Sequence, residues 1–182
     1  RFFFVAVALA VCNAVFSQST ASKDDALLFY LSGENGMQAD YAQGESAPNF
    51  LYNVSSIANG AVGKGIHCAH KQLLSYWAPG NIYASRGTLS FYWRLTEAFT
   101  PTEFPIFRVS YADHTSWDMT WLRIDYNGKG FDAFVTDNHL ARIRISHTVE
   151  QLPCPDEWTH FALSWDENTG VKFYVNGEKV GQ

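Results

Sequence analysis

Residues 158–180 read Trp158-Thr159-His160-Phe161-Ala162-Leu163-Ser164-Trp165, then Asp166-Glu167-Asn168-Thr169-Gly170, then Val171-Lys172-Phe173-Tyr174-Val175-Asn176-Gly177-Glu178-Lys179-Val180. Two apolar runs of strand length are joined by a short polar link, and the second ends in Asn-Gly. That dipeptide is the strongest short hairpin signal, because both central positions of a type I′ turn need positive φ. The same period of two recurs upstream. Thr88 to Leu95 sets Leu89, Phe91, Trp93 and Leu95 on one face and Thr88, Ser90, Tyr92 and Arg94 on the other. Successive side chains of a strand point to opposite faces, so this pattern predicts a half-buried strand. Trp121 to Tyr126 alternates likewise, with Leu122, Ile124 and Tyr126 opposite Trp121, Arg123 and Asp125. A turn at Asn127-Gly128-Lys129-Gly130 leads into a further strand, Phe131 to Thr136. Ala141 to Ser146 sets Ala141, Ile143 and Ile145 against Arg142, Arg144 and Ser146. Helical spacing with caps is not found. Many short strands separated by turns predict an all-β fold, an antiparallel two-sheet sandwich of the jelly-roll kind.

The 182 residues are 47% hydrophobic and 17% charged, enough to build one core and too apolar for intrinsic disorder. Thirteen Lys and Arg against eighteen Asp and Glu give a formal charge of −5. A surface that neutralises phosphates carries the opposite balance, so nucleic acid and an anionic membrane surface are disfavoured as partners. Residues 1–16 read RFFFVAVALAVCNAVF, one basic residue and then an apolar stretch too short to span a bilayer. This is the layout of a secretory signal peptide, 1–17, cut at Ser17–Gln18 or, as a second site, at Ala21–Ser22. Residues 18–26 then form a short polar leader before a single domain, 27–182. The expected location is secreted or at the cell surface, with no membrane span once the signal is removed. The missing initiator Met and the stop at Val180-Gly181-Gln182, just past a hairpin turn, predict a fragment of a longer exported protein, incomplete at its C-terminus. With Cys12 in the signal, Cys68 and Cys154 remain. In an oxidising compartment they could form a disulfide; the alternative is two buried, unpaired thiols.

Several segments resemble one family. The run 158–165 with its hairpin 172–180 resembles the "W-x-H-x-A … Y-V-(D/N)-G" hairpin of laminin-G-like, concanavalin A-like domains. Gly63-Lys64-Gly65-Ile66, Arg86-Gly87-Thr88-Leu89-Ser90-Phe91-Tyr92-Trp93-Arg94, and Leu28-Phe29-Tyr30 to Asp40-Tyr41-Ala42-Gln43-Gly44 are similar to three further segments in the family's order. The resemblance implies a two-sheet jelly roll whose relatives bind glycans or extracellular proteins and sometimes calcium. It makes Asp40 the family-matched residue for Ca²⁺, the one cofactor in prospect. Zn²⁺ is disfavoured, because His67-Cys68-Ala69-His70 lacks a second cluster at zinc spacing.

Some relatives of this fold hydrolyse glycosides, which takes two carboxylates about 5–9.5 Å apart. No Glu-x-Asp-x-x-Glu-like cluster is present, and Asp125, Asp132 and Asp166-Glu167 read as solvated charges; no catalytic residue is assigned. The most functional stretch is Asp113-His114-Thr115-Ser116-Trp117-Asp118, a polar loop with one indole. An indole can stack on a sugar ring while Asp113, His114 and Asp118 meet its hydroxyls; the alternative is that Trp117 folds back onto the sandwich. Asp137 and Asn138 in the next connection, and Trp77 beside Pro79-Gly80-Asn81, are further candidates. Trp93 and Trp165 read as core, and His160 as a satisfied histidine of the core or sheet face. The function expected is a noncatalytic extracellular recognition module for a carbohydrate, a glycosylated surface or an extracellular surface protein. A structural spacer or adhesion domain, or an accessory module of a polysaccharide-degrading enzyme, is the alternative.

Overall fold

A computed structural model describes residues 26–69, 71–96, 102–110, 120–137 and 141–182, and every regular element among them is a strand. Six short strands come first: β1 (Phe29–Tyr30), β2 (Tyr41–Ala42), β3 (Phe50–Tyr52), β4 (Ser55–Ile57), β5 (Gly65–His67) and β6 (Leu73–Ser75). They pair antiparallel as ribbons β1–β2, β3–β6 and β4–β5. Eight longer strands follow: β7 (Arg86–Trp93), β8 (Phe104–Ser110), β9 (Thr120–Tyr126), β10 (Gly130–Thr136), β11 (Arg142–Thr148), β12 (Thr159–Asp166), β13 (Gly170–Val175) and β14 (Glu178–Gly181). They form two antiparallel sheets, β11-β10-β9-β8 and β14-β13-β12-β7.

The sandwich core lies between these two sheets. One contributes Leu122, Ile124, Tyr126, Phe131 and Ala133; the other contributes Phe161, Leu163, Trp165, Val171, Phe173 and Val175. In β12 the burial alternates along its length, as the two-residue period requires. Aromatic rings bridge the sheets: Phe131 and Phe161 meet at 4.8 Å, and Trp93 and Phe104 at 6.3 Å. The Asn176-Gly177 turn has φ of 50° and 83°, the type I′ signature that only glycine and asparagine adopt at low cost.

Two departures from strict alternation occur where β8 meets β9. Pro105 pairs with Asp125 and Phe107 with Ile124, so Ile106 is an extra residue on β8. Val109 pairs with Leu122 and Ser110 with Thr120, so Trp121 is an extra residue on β9. A bulge re-aims the side chain it carries. Trp121, expected on the outer face with Arg123, is instead buried and packs edge-on against Trp165 at 5.4 Å.

Gly87 has a packing reason to be glycine. A Cβ there would lie 2.5 Å from Cζ2 of Trp165, whose indole N–H donates to the Tyr83 carbonyl at 2.9 Å and so resists moving. Gly87→Ala is expected to cost about 1–2 kcal/mol through overpacking, read as a lower urea midpoint at unchanged m-value.

Candidate functional site

Of the residues singled out above, Asp113, His114, Trp117, Asp118 and Asn138 lie outside the described residues. The others are placed. Asp40 follows the turn after β1, where its carboxylate accepts from the Ser32 N–H at 2.7 Å and from the Asn35 side-chain amide at 2.7 Å. Burial pushes its pKa up, but the hydrogen bonds from Ser32 and Asn35 outweigh burial and hold the carboxyl below its usual range. Both oxygens thus fasten the turn. Among the described residues no group of three or more His, Cys, Asp or Glu gathers as a metal site would require.

Trp77 is 49% exposed on a loop held down by Asn81. The Asn81 side chain donates to the carbonyls of Trp77 and Glu45, each at 2.9 Å, and accepts from the Gly44 N–H at 3.0 Å. Asp137 closes the β10–β11 connection: its carboxylate accepts from the Ala141 N–H at 2.8 Å, and its own N–H donates to the Ala141 carbonyl at 2.8 Å. Cys68 and Cys154 are both exposed and unpaired in this structure, and partial burial pushes the Cys68 thiol pKa up. His160 sits on the outer face of its sheet, its Nε2 2.9 Å from Ser90 Oγ and its ring 4.9 Å from that of Tyr92. It is the satisfied sheet-face histidine expected.

Ser110 and Thr120 are cross-strand partners, as are Thr136 and Arg142, so these four strand ends lie at the same end of the β8–β11 sheet. On the outer face there, β10 presents Phe134 between its neighbours: the guanidinium of Arg123 lies 4.5 Å from the ring centroid, Arg144 5.2 Å and Arg142 6.0 Å. Such cation–π contacts hold guanidiniums flat against a ring with their N–H groups directed to the edges. Arg142 Nε donates to Thr136 Oγ1 at 3.1 Å, and that hydroxyl donates to the Thr120 carbonyl at 3.4 Å. Thr120, Arg123, Phe134 and Arg142 line a shallow depression. It is too shallow to enclose a ligand, and its chemistry is that of guanidinium edges beside an aromatic ring, with Arg123 paired to Asp125 and Arg142 to Thr136.

Asp125 and Asp132 correct the sequence-based expectation. They are not solvated charges but direct cross-strand partners on this face, and Asp132 is only 2% exposed. Asp132 accepts from the Asn127 side-chain amide at 2.8 Å and from the Arg144 guanidinium, while Asp125 pairs with Arg123 at 2.7 Å. Burial raises the Asp125 pKa to about 6; Arg123 opposes the rise, and the charges of Asp132 and Glu103 add to it. The signal was available in the sequence, since residues equidistant from the Asn127–Gly130 turn must oppose one another across it. Both carboxylates lie under guanidiniums on the sheet rather than in an open cleft.

A family model described as the concanavalin A-like lectin/glucanases superfamily, of the laminin-G type, matches residues 75–182. The match covers β7 to β14, while Asp40 and the segments around Leu28–Gly44 and Gly63–Ile66 precede it. No curated protein and no solved structure matches the chain. With the match spanning more than half of the chain, and with two four-stranded antiparallel sheets packed about one aromatic core, this protein belongs to the concanavalin A-like lectin/glucanases superfamily.

Proposed function

We propose that the chain is a noncatalytic recognition module of an exported protein, binding carbohydrate at the loop end of the β8–β11 sheet. The observation that carries this is the gathering there of Arg123, Arg142 and Arg144 around the Phe134 ring, with Asp137 at the neighbouring strand end, in a domain of a lectin-like family. Polar groups of fixed orientation beside an apolar surface match a sugar ring, which offers hydroxyls at its rim and C–H groups on its faces. The exposed indole of Trp77 is a second stacking surface on another loop. Recognition falls to loops and sheet ends because the inward faces of the strands are occupied with packing. Hydrolysis is not part of the proposal, because Asp132 is buried under Arg144 and Asp125 is paired with Arg123. Among the described residues no helix is long and apolar enough to cross a membrane.

One sugar stack supplies about 1 kcal/mol beyond area burial, so an isolated module should bind in the micromolar to millimolar range. The test is a glycan array with the wild-type protein beside Trp117→Ala, Arg142→Ala and Trp77→Ala. Binding that is lost in Trp117→Ala and Arg142→Ala is the expected result. Binding by none of the proteins would leave a spacer or adhesion domain, and equal binding by all would place the site elsewhere. Release of reducing sugar from a β-glucan panel, abolished by Asp125→Asn, would make the chain an enzyme.

A further inference from the structure

A single tripeptide of the chain has the form Asn-X-Ser/Thr with X other than proline, Asn53-Val54-Ser55. The spacing has a chemical meaning, because an N-glycosylating enzyme reads the hydroxyl two residues beyond the amide it modifies. The fold places this tripeptide where such an enzyme can take it. Asn53 stands at the bend between β3 and β4 with a φ of 54°, and both Asn53 and Ser55 are exposed. Asparagine is one of the few residues besides glycine that adopt a left-handed backbone at low cost, which suits it to the bend. β3 and β4 each pair with a neighbour over three residues only, so the segment opens locally at little cost.

Elsewhere the asparagine side chains are engaged in holding turns. Asn35 donates to Asp40, Asn81 to the carbonyls of Trp77 and Glu45, and Asn127 to Asp132. Among the described residues, the Asn53 amide and the Ser55 hydroxyl have no such partner and stay open to a reagent. The ribbon beside them shows apolar side chains that the sandwich does not use. Register pairs Tyr52 with Leu73 and Phe50 with Ser75, so Phe50, Tyr52 and Leu73 share one face, at 51%, 53% and 44% exposure. No charged residue occurs from Ser46 to Gly63. An apolar face without charge favours self-association unless something covers it.

We propose that Asn53 is the acceptor of an N-linked oligosaccharide, and that this oligosaccharide screens the face made by Phe50, Tyr52 and Leu73. The donor is a lipid-linked oligosaccharyl diphosphate of the secretory route. The Asn53 amide nitrogen attacks the anomeric carbon of its terminal N-acetylglucosamine. A carbon–nitrogen bond forms, the carbon–oxygen bond to the diphosphate breaks with its electron pair leaving on the diphosphate, and the amide gives up one proton. The glycan is bulky and strongly hydrated, and it is anchored on a Cα about 3.8 Å from that of Tyr52, within reach of the ribbon face. The proposal rests on the reading of the chain as exported and is independent of the loop-end site.

The test expresses the full chain in eukaryotic cells, once behind its own N-terminal segment and once behind a foreign secretory signal. Tryptic peptide 24–64 of the secreted protein, uninterrupted by Lys or Arg between Lys23 and Lys64, contains the acceptor. It is expected to carry an oligosaccharide that peptide N-glycosidase removes, leaving position 53 as heavy-oxygen aspartate when the digestion is run in labelled water. Ser55→Ala, at an exposed position, is expected to abolish the modification, and Ser55→Thr to retain it. Sedimentation at equal concentration is expected to show more self-association after the glycan is removed. Secreted protein with Asn53 unmodified behind both signals would overturn the proposal, and equal sedimentation of the two forms would overturn the screening role. Modification only behind the foreign signal would support the acceptor and count against the export reading alone.

Discussion

Phe161→Ala is expected to remove about 3–5 kcal/mol of stability, a large part of what a domain of this size possesses. Phe161 is fully buried at the middle of the sandwich. Its ring lies 4.8 Å from Phe131, 5.6 Å from Phe91, and 6.1 Å from both Trp93 and Phe173. Truncation removes the transfer free energy of the ring and leaves a void walled by four aromatics that cannot all collapse into it. The contrasting variant is Tyr92→Ala on the outer face of the same sheet, where the side chain is 56% exposed and the expected cost is below about 1 kcal/mol. Urea titrations of both proteins decide the matter. Similar midpoints for the two variants would mean that Phe161 is not central to the core.

Asp125→Asn is expected to stabilise the protein above pH 6 by up to about 2 kcal/mol and to change little near pH 4. Burial raises the folded-state pKa of Asp125 to about 6, from an ordinary value of 3.8. Between those values the folded protein binds the proton more tightly than the unfolded chain does. Stability contributed by this group is therefore highest below pH 4, falls as pH rises toward 6, and is flat beyond. Each pKa unit corresponds to about 1.4 kcal/mol, and partial solvent access trims the total. Asparagine mimics the protonated acid, so the variant should lose the decline between pH 4 and 6. Thermal melts at pH 4, 5, 6 and 7.5 follow it directly. A variant that is less stable than wild type at pH 7.5 would show that the Arg123 ion pair outweighs burial.

Much of this architecture was legible before any coordinates. The period-two runs became β7, β9, β10, β11, β12 and β13, and the Asn-Gly turn after Val175 takes the backbone conformation its residues favour. Alternation fails to mark what depends on registration between strands. Trp121 faces the core because an extra residue is accommodated opposite Val109 and Ser110, and nothing in the local pattern records that. The same limit hid the site chemistry. Guanidiniums from two different strands flank Phe134, and the carboxylates of Asp125 and Asp132 meet only when two strands are paired.

The pairing of β7 with β12 has a kinetic meaning. Trp93 meets Thr159 and Arg86 meets Asp166, while β8 to β11 join only neighbours in the chain. A growing or refolding chain can zip the four-stranded meander from short turns, but β7 must wait until some seventy residues further along have appeared before it finds its partner. Until then β7 has no strand to pair with, and its backbone N–H and C=O groups stay open along an edge. The step that closes the sandwich is thus the one with the longest loop to draw in, and it sets the pace of folding. A chain interrupted before Thr159 would hold a ready meander and a sticky orphan strand, the form in which this protein is most prone to associate with its own copies.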